Sequence, residues 1–103
     1  MSWQVVARSE AEDDIRQAAR WYNSQREGLG DEFIEEVLII FDALAENPLL
    51  HCRRHPTKEI RWRYPHRFPY RVVYEVIEDQ QLVIIAGIIH AARHDRIWRG
   101  RFE

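Results

Sequence analysis

Cysteine is nearly absent from this chain of 103 residues. The lone Cys52 excludes an internal disulfide framework or a cysteine metal cluster, and a free thiol suits a reducing compartment. Nothing beyond general positive charge would activate that thiol, so no catalytic nucleophile is expected there. Glycine and proline number four each, and no linker, low-complexity tract or internal repeat is visible. The amino terminus lacks the basic-then-apolar pattern of a secretory signal. The longest apolar run, Leu82 to Ile89, is far short of a bilayer span, so a cytoplasmic protein away from membranes is expected. His51, His55, His66, His90 and His94 match no zinc spacing and have no acidic residues clustered with them, so no metal is expected. At this length one domain, residues 1–103, is expected, with a single core and no deep enclosed pocket. A surface site without a cofactor follows.

What the chain does have is segregated charge. Residues 1–50 hold 4 basic and 11 acidic side chains, net −7, and residues 51–103 hold 11 and 6, net +5. The overall −2 therefore conceals a dipolar molecule. Both halves are rich in apolar residues, so the charge decorates one folded body. Between His51 and Arg71 seven cations (Arg53, Arg54, Lys58, Arg61, Arg63, Arg67 and Arg71) face one acid, Glu59, and alternate with Trp62, Tyr64, Phe68 and Tyr70. Guanidinium groups pair with phosphate or carboxylate, and aromatic faces stack on bases or pack a partner's apolar groups. The segment suits a polyanion or an acidic polypeptide, and the solvated face of an ordinary domain is the alternative. Lys58 is the one lysine; the preference for arginine reflects bidentate recognition or a codon bias.

Periodicity orders the elements. Trp3, Val5 and Ala7 alternate with polar or outward positions as an opening strand. Ser9 followed by Glu12 reads as a capping box, and Ala11, Ile15, Ala18 and Tyr22 mark an amphipathic helix to about Asn23. Gly28-Leu29-Gly30 breaks it. Asp31 then opens a second helix whose apolar face is Phe33, Ile34, Val37, Leu38, Ile40, Phe41 and Leu44, and Asn47-Pro48 stops it, giving a helical hairpin. Ile60, Trp62 and Tyr64 alternate with Arg61 and Arg63 as a strand. Tyr70 to Ile77 alternates as a second strand, Glu78 to Gln81 is a polar turn, and Leu82 to Ile89 reads as a central strand. Asp95 to Arg101 closes the chain as a helical turn or a tail. The expected class is α+β: an N-terminal strand, a helical hairpin, then an antiparallel meander with one face under the helices. Alternation places Arg61, Arg63, Arg71 and His90 together on the other face or at its edge.

Several short motifs stand in a telling order: Ala18-Ala19-Arg20-Trp21-Tyr22, Gly28-Leu29-Gly30 with Phe33, Asn47-Pro48, Phe68-Pro69-Tyr70-Arg71-Val72-Val73-Tyr74, and Ile88-Ile89-His90-Ala91-Ala92-Arg93. Over nearly the whole chain this resembles the RelE/ParE superfamily of toxins from type II toxin–antitoxin modules, the plasmid-stabilisation type. The resemblance implies a growth-arresting protein silenced by a co-expressed antitoxin, alone as a homo-oligomer or joined to it in a hetero-oligomer. One branch cuts messenger RNA at the ribosome; the other poisons DNA gyrase and is not an enzyme.

Cutting RNA through its own 2′-hydroxyl needs a base, cations for the phosphorane and an acid for the departing oxygen. By resemblance, Arg71 would hold phosphate and Arg61 with Arg63 would be the alternating basic pair, with His90 or His66 standing in for proton transfer. The RNA-cutting branch uses lysines and a carboxy-terminal tyrosine, whereas here the matching aromatic is Trp98, whose indole is no acid near neutral pH. The gyrase-directed branch is therefore expected, with ribosome-dependent cleavage second and a non-toxic nucleic-acid-binding or adaptor domain third. Arg61, Trp62, Arg63, Arg67, Arg71, Arg93 and Trp98 are the expected partner-binding residues, and the expected partner is an antitoxin with an acidic amphipathic tail. For Arg71 an internal ion pair with Glu75 or a helix carboxylate is the alternative role, for Arg61 and Arg63 a solvent- or partner-facing row, and for His90 a structural hydrogen bond.

Overall fold

The structure, a computed structural model, describes residues 2–92. Arg93, Trp98 and the expected closing turn over Asp95 to Arg101 lie outside the described residues. The order is β1 (Gln4–Ala7), α1 (Ser9–Gln25), α2 (Leu29–Glu46), β2 (Arg53–Arg54), β3 (Arg61–Arg63), β4 (Tyr70–Ile77) and β5 (Leu82–His90), with a 3-10 turn at Glu78–Gln80. The strands form one sheet in the order β1-β5-β4-β3-β2. β2 to β5 run antiparallel as the expected meander. β1 joins β5 in parallel, which makes the sheet mixed. The two-residue strand β2 is an addition that two arginines without apolar alternation did not announce.

Helix boundaries shift for local reasons. The capping box does not form: α1 starts at Ser9 itself, and the Ser9 hydroxyl turns to Glu10. Arg8 is still extended and donates its N–H to the Ile85 carbonyl at 3.0 Å, while its own carbonyl accepts from Glu12 N–H at 3.1 Å. The chain passes from strand to helix with no spare residue for a side-chain cap. Gly28 takes φ 89, the left-handed region open to glycine, and this tight turn lets α2 begin at Leu29, two residues before Asp31. Gly30 sits in the first turn of α2 and donates its N–H to Asn23 Oδ1 at 2.7 Å, which clips the two helices together.

The hairpin covers one face of the sheet. Ala11, Ala18, Phe33, Val37, Ile40 and Leu44 from the helices meet Val72, Tyr74, Val83, Ile85 and Ile88 from β4 and β5 in the main core. Each large apolar side chain so buried contributes about 1.5–3 kcal/mol of transfer free energy. Leu38, grouped with the apolar arc by its position, is instead 50% exposed, because it lies past the rim of the face that reaches the sheet. Tyr74 is wholly buried, and its hydroxyl donates to the Pro48 carbonyl at 2.7 Å, tying β4 to the end of α2. Burial pushes that hydroxyl's pKa far up, helped by Cys52 beside it and opposed by the positive charges of Arg63 and Arg61. A second, smaller cluster on the opposite face joins Ile60, Val73 and Ile89, with Trp62 laid against it.

β1 pairs only with Leu82 to Ile85, so among the described residues the rest of that edge of β5 has no strand beside it. Helix α1 closes the gap: the Asp14 carboxylate accepts the Ile88 N–H at 3.0 Å. A side chain here satisfies a backbone N–H at the sheet edge, as a neighbouring strand's carbonyl would.

Candidate functional site

Strand register decides which cations can act together, since directly paired residues share a face. Arg61 pairs with Tyr74 and Arg63 with Val72, both core residues on the helix side. Arg61 and Arg63 therefore point the same way, as their alternation implies, toward the helix layer. Arg71 pairs with Ile89, and Trp62 with Val73, on the opposite face. The expected convergence of Arg61, Arg63, Arg71 and His90 is thus divided by the sheet itself. Alternation within each strand was read correctly, but the phase between β3 and β4 puts Arg71 with Trp62.

On the face turned away from the helices, the Arg71 guanidinium lies 5.3 Å from the centre of the Trp62 ring and its Nε donates to the Tyr64 hydroxyl at 3.3 Å. Arg53 pairs with Trp62 in register and joins this face. Trp62 packs over Val73 and Ile89, so it serves as cover for the small cluster as well as a platform for a cation.

On the helix side, Arg61 and Arg63 are half-buried, and an Arg61 N–H approaches the Cys52 sulfur at 3.5 Å. Neither forms an ion pair among the described residues. Arg54, on the same face, is held by Glu59 at 2.7 Å. Arg67 is also held: its backbone N–H and Nε donate to Glu36 and its terminal nitrogen to Glu32 at 2.9 Å, while Arg26 reaches the other Glu32 oxygen at 3.2 Å. Of the expected partner-binding arginines, Arg67 is spoken for. It pins the loop before β4 to helix α2.

This clasp has a pH signature. Partial burial pushes the Glu36 carboxyl up, but the backbone and side-chain hydrogen bonds from Arg67 and its charge outweigh that and hold it below its ordinary value of 4.5. A depressed folded-state pKa gives stability that is present above the unfolded value and is lost as pH falls through the folded one. Between about pH 5 and pH 3 the melting temperature of the native chain is expected to fall further than that of Glu36→Gln, with circular dichroism as the measurement. Parallel losses in the two proteins would rule out this role for Glu36.

His90 stands at the end of β5 opposite Tyr70, with the ring centres 5.1 Å apart and nearly perpendicular. Its Nδ1 accepts the Ala92 N–H at 3.0 Å, so a neutral His90 carries its proton on Nε2. It is on the face of Arg63 but two strands away. It lines a cleft of about 590 Å³ with Asp14, Gln17, Trp21, Tyr22 and Tyr70. Trp21 is 56% exposed at this rim, its ring edge-on to Tyr22; the apolar arc of α1 passes through Tyr22 and leaves its neighbour outside. The cleft was not anticipated, because it forms between elements distant in the chain.

The family model of the ParE toxin of type II toxin–antitoxin systems matches residues 5–95. The chain belongs to this family. No curated protein matches it by sequence. The ParE-family chain has the fold found in a chromosomal ParDE toxin–antitoxin system from P. aeruginosa, with 12% identity, a TM-score of 0.74, and coverage of 85% of this chain and 95% of that one. It is similar to a chain of the intact E. coli RelBE complex, at 17% identity, TM-score 0.68, covering 88% and 99%. A chain of the RelBE2 complex from Mycobacterium tuberculosis gives 18%, 0.56, 87% and 99%. At such identities the likeness is one of fold. No helix among the described residues is long and apolar enough to cross a membrane.

Proposed function

We propose that this ParE-family toxin arrests growth by binding DNA gyrase without catalysing a reaction, and that a co-expressed antitoxin with an acidic amphipathic segment holds it silent. The observation that supports a non-catalytic target is the division of cations between the two faces of the sheet. Cleavage through a 2′-hydroxyl needs base, cation and acid within hydrogen-bond reach of one phosphate. Arg71 sits with Trp62 and Tyr64, Arg61 and Arg63 lie on the helix side, and His90 is engaged beside Tyr70. Lys58 is in the loop between β2 and β3.

Ribosome-dependent cleavage of messenger RNA is the second reading, favoured by the Tyr64 hydroxyl 3.3 Å from Arg71 Nε, a phenol and a guanidinium side by side. Inducing the chain alone separates the readings. Growth arrest with an SOS response and inhibited supercoiling is expected; arrest with loss of translation and messages cut in the ribosomal A site would replace gyrase by RNA, and undisturbed growth would remove both and leave a non-toxic adaptor. Arg61→Ala combined with Arg63→Ala is expected to relieve the arrest at equal protein level, with the melting temperature within a few degrees of native. Full toxicity of that double variant would exclude these arginines from the working surface.

A further inference from the structure

Lysine and arginine together number 15 in this chain, yet among the described residues none of them lines the cleft of about 590 Å³ between α1, the start of β4 and the end of β5. The carboxylate in its wall is Asp14, and Gln17 adds a neutral amide. Aromatic rings make up much of the rest. Trp21 stands edge-on to Tyr22 with the ring centres 5.0 Å apart, Tyr22 to Tyr70 at 6.1 Å, and Tyr70 to His90 at 5.1 Å. These four rings form one continuous run, and its first member, Trp21, offers its indole to solvent at the rim. The space falls within the range of small-ligand sites.

We propose that this cleft binds an alkylguanidinium group, carried by an arginine side chain of another polypeptide or by a free arginine-like molecule. Nothing in this recognition requires the toxin activity proposed above. A carboxylate and the faces of aromatic rings both attract positive charge, so the wall selects a cation and disfavours phosphate. Asp14 is already oriented: its Oδ2 accepts the Ile88 N–H at 3.0 Å. A carboxylate has about four acceptor positions, of which that bond takes one, and bonding to a neutral amide leaves its charge in place. A guanidinium suits the cleft better than an ammonium does, because it is planar, weakly hydrated, stacks on aromatic faces and donates two parallel N–H bonds to one carboxylate. The wider field acts in the same direction, since residues 1–50 carry a net −7 and draw cations toward the helices. The cleft thus takes a ligand of the sign opposite to that which suits Arg61 and Arg63.

The test titrates the full chain with N-acetyl-arginine amide and follows the Trp21 indole N–H and the Ile88 amide by heteronuclear NMR. Saturable shifts at both are expected. N-acetyl-citrulline amide, a neutral molecule of nearly the same shape, and inorganic phosphate should each bind about tenfold or more weakly. Asp14→Asn keeps an oxygen for the Ile88 N–H while removing the charge, so it should fold as native and lose about tenfold in affinity. Trp21→Ala, at an exposed ring, should lose roughly threefold or more. Arg53→Glu, away from the cleft on the sheet face opposite the helices, should leave binding unchanged. Free arginine is titrated beside the capped form, and whichever binds more tightly identifies the source of the group. Absence of saturable shifts, equal binding of the citrulline analogue, or native affinity in Asp14→Asn would each overturn the proposal.

Discussion

Gly30→Ala is expected to destabilise the protein by about 3 kcal/mol, lowering the melting temperature by roughly 15 °C. A Cβ at position 30 would lie 2.1 Å from the Ala19 carbonyl oxygen and 2.7 Å from Asn23 Cγ. The first of these is backbone in the middle of α1, so relief requires the helices to move apart. That movement also stretches the Gly30 N–H bond to Asn23. Gly28 is the built-in comparison. A Cβ there meets nothing within 4 Å, and only the positive φ resists a side chain, which costs about 1 kcal/mol. Thermal unfolding of the two single variants should therefore rank Gly30→Ala as clearly the worse. The opposite ranking would mean that the turn, and not the close approach of the helices, governs the hairpin.

Val37→Asp is expected to remove a large part of the chain's stability at neutral pH. Val37 is 0% exposed, within the cluster that includes Phe33, Ile40, Leu44 and Tyr74. An unpaired carboxylate there costs on the order of 4 kcal/mol or more, against a total stability of about 5–15 kcal/mol for a domain. Burial raises a carboxyl's pKa, so the protonated form is tolerated better, and the deficit relative to native should shrink as pH falls toward 4. Ile39→Asp, two residues along the same helix and 60% exposed, should change stability by only about 0.5 kcal/mol. Comparable unfolding of both variants, followed by circular dichroism and urea titration, would refute the assignment of the helix faces.

Those two substitutions also mark how far local pattern reaches. The 3.6-residue period located the core arc of α2 from Phe33 to Leu44, and it erred only at the rim, where Leu38 is half in water. The two-residue period of β4 separated Tyr70, Val72, Tyr74 and Val76 from Arg71, Val73, Glu75 and Ile77 as the packing does. The capping box failed although its letters are present, because the preceding strand uses Arg8 up to the first helical residue. For the candidate site, the cationic strands were visible in the residues themselves. Their partners were not: Arg67 is closed off by Glu32 and Glu36 from a different helix, and nothing near Arg67 in the chain announces this.

By itself the sequence determined the order of elements, the alternation within each strand and the concentration of cations after residue 51, since these follow from backbone geometry acting over a few neighbours. Only the tertiary structure decided that Arg61 and Arg63 look toward the helices while Arg71 looks away, that β1 lies parallel to β5, and that Asp14 takes the Ile88 N–H. Those choices depend on pairing phase and on packing between segments far apart in the chain, and a period read along one strand carries no information about the strand beside it.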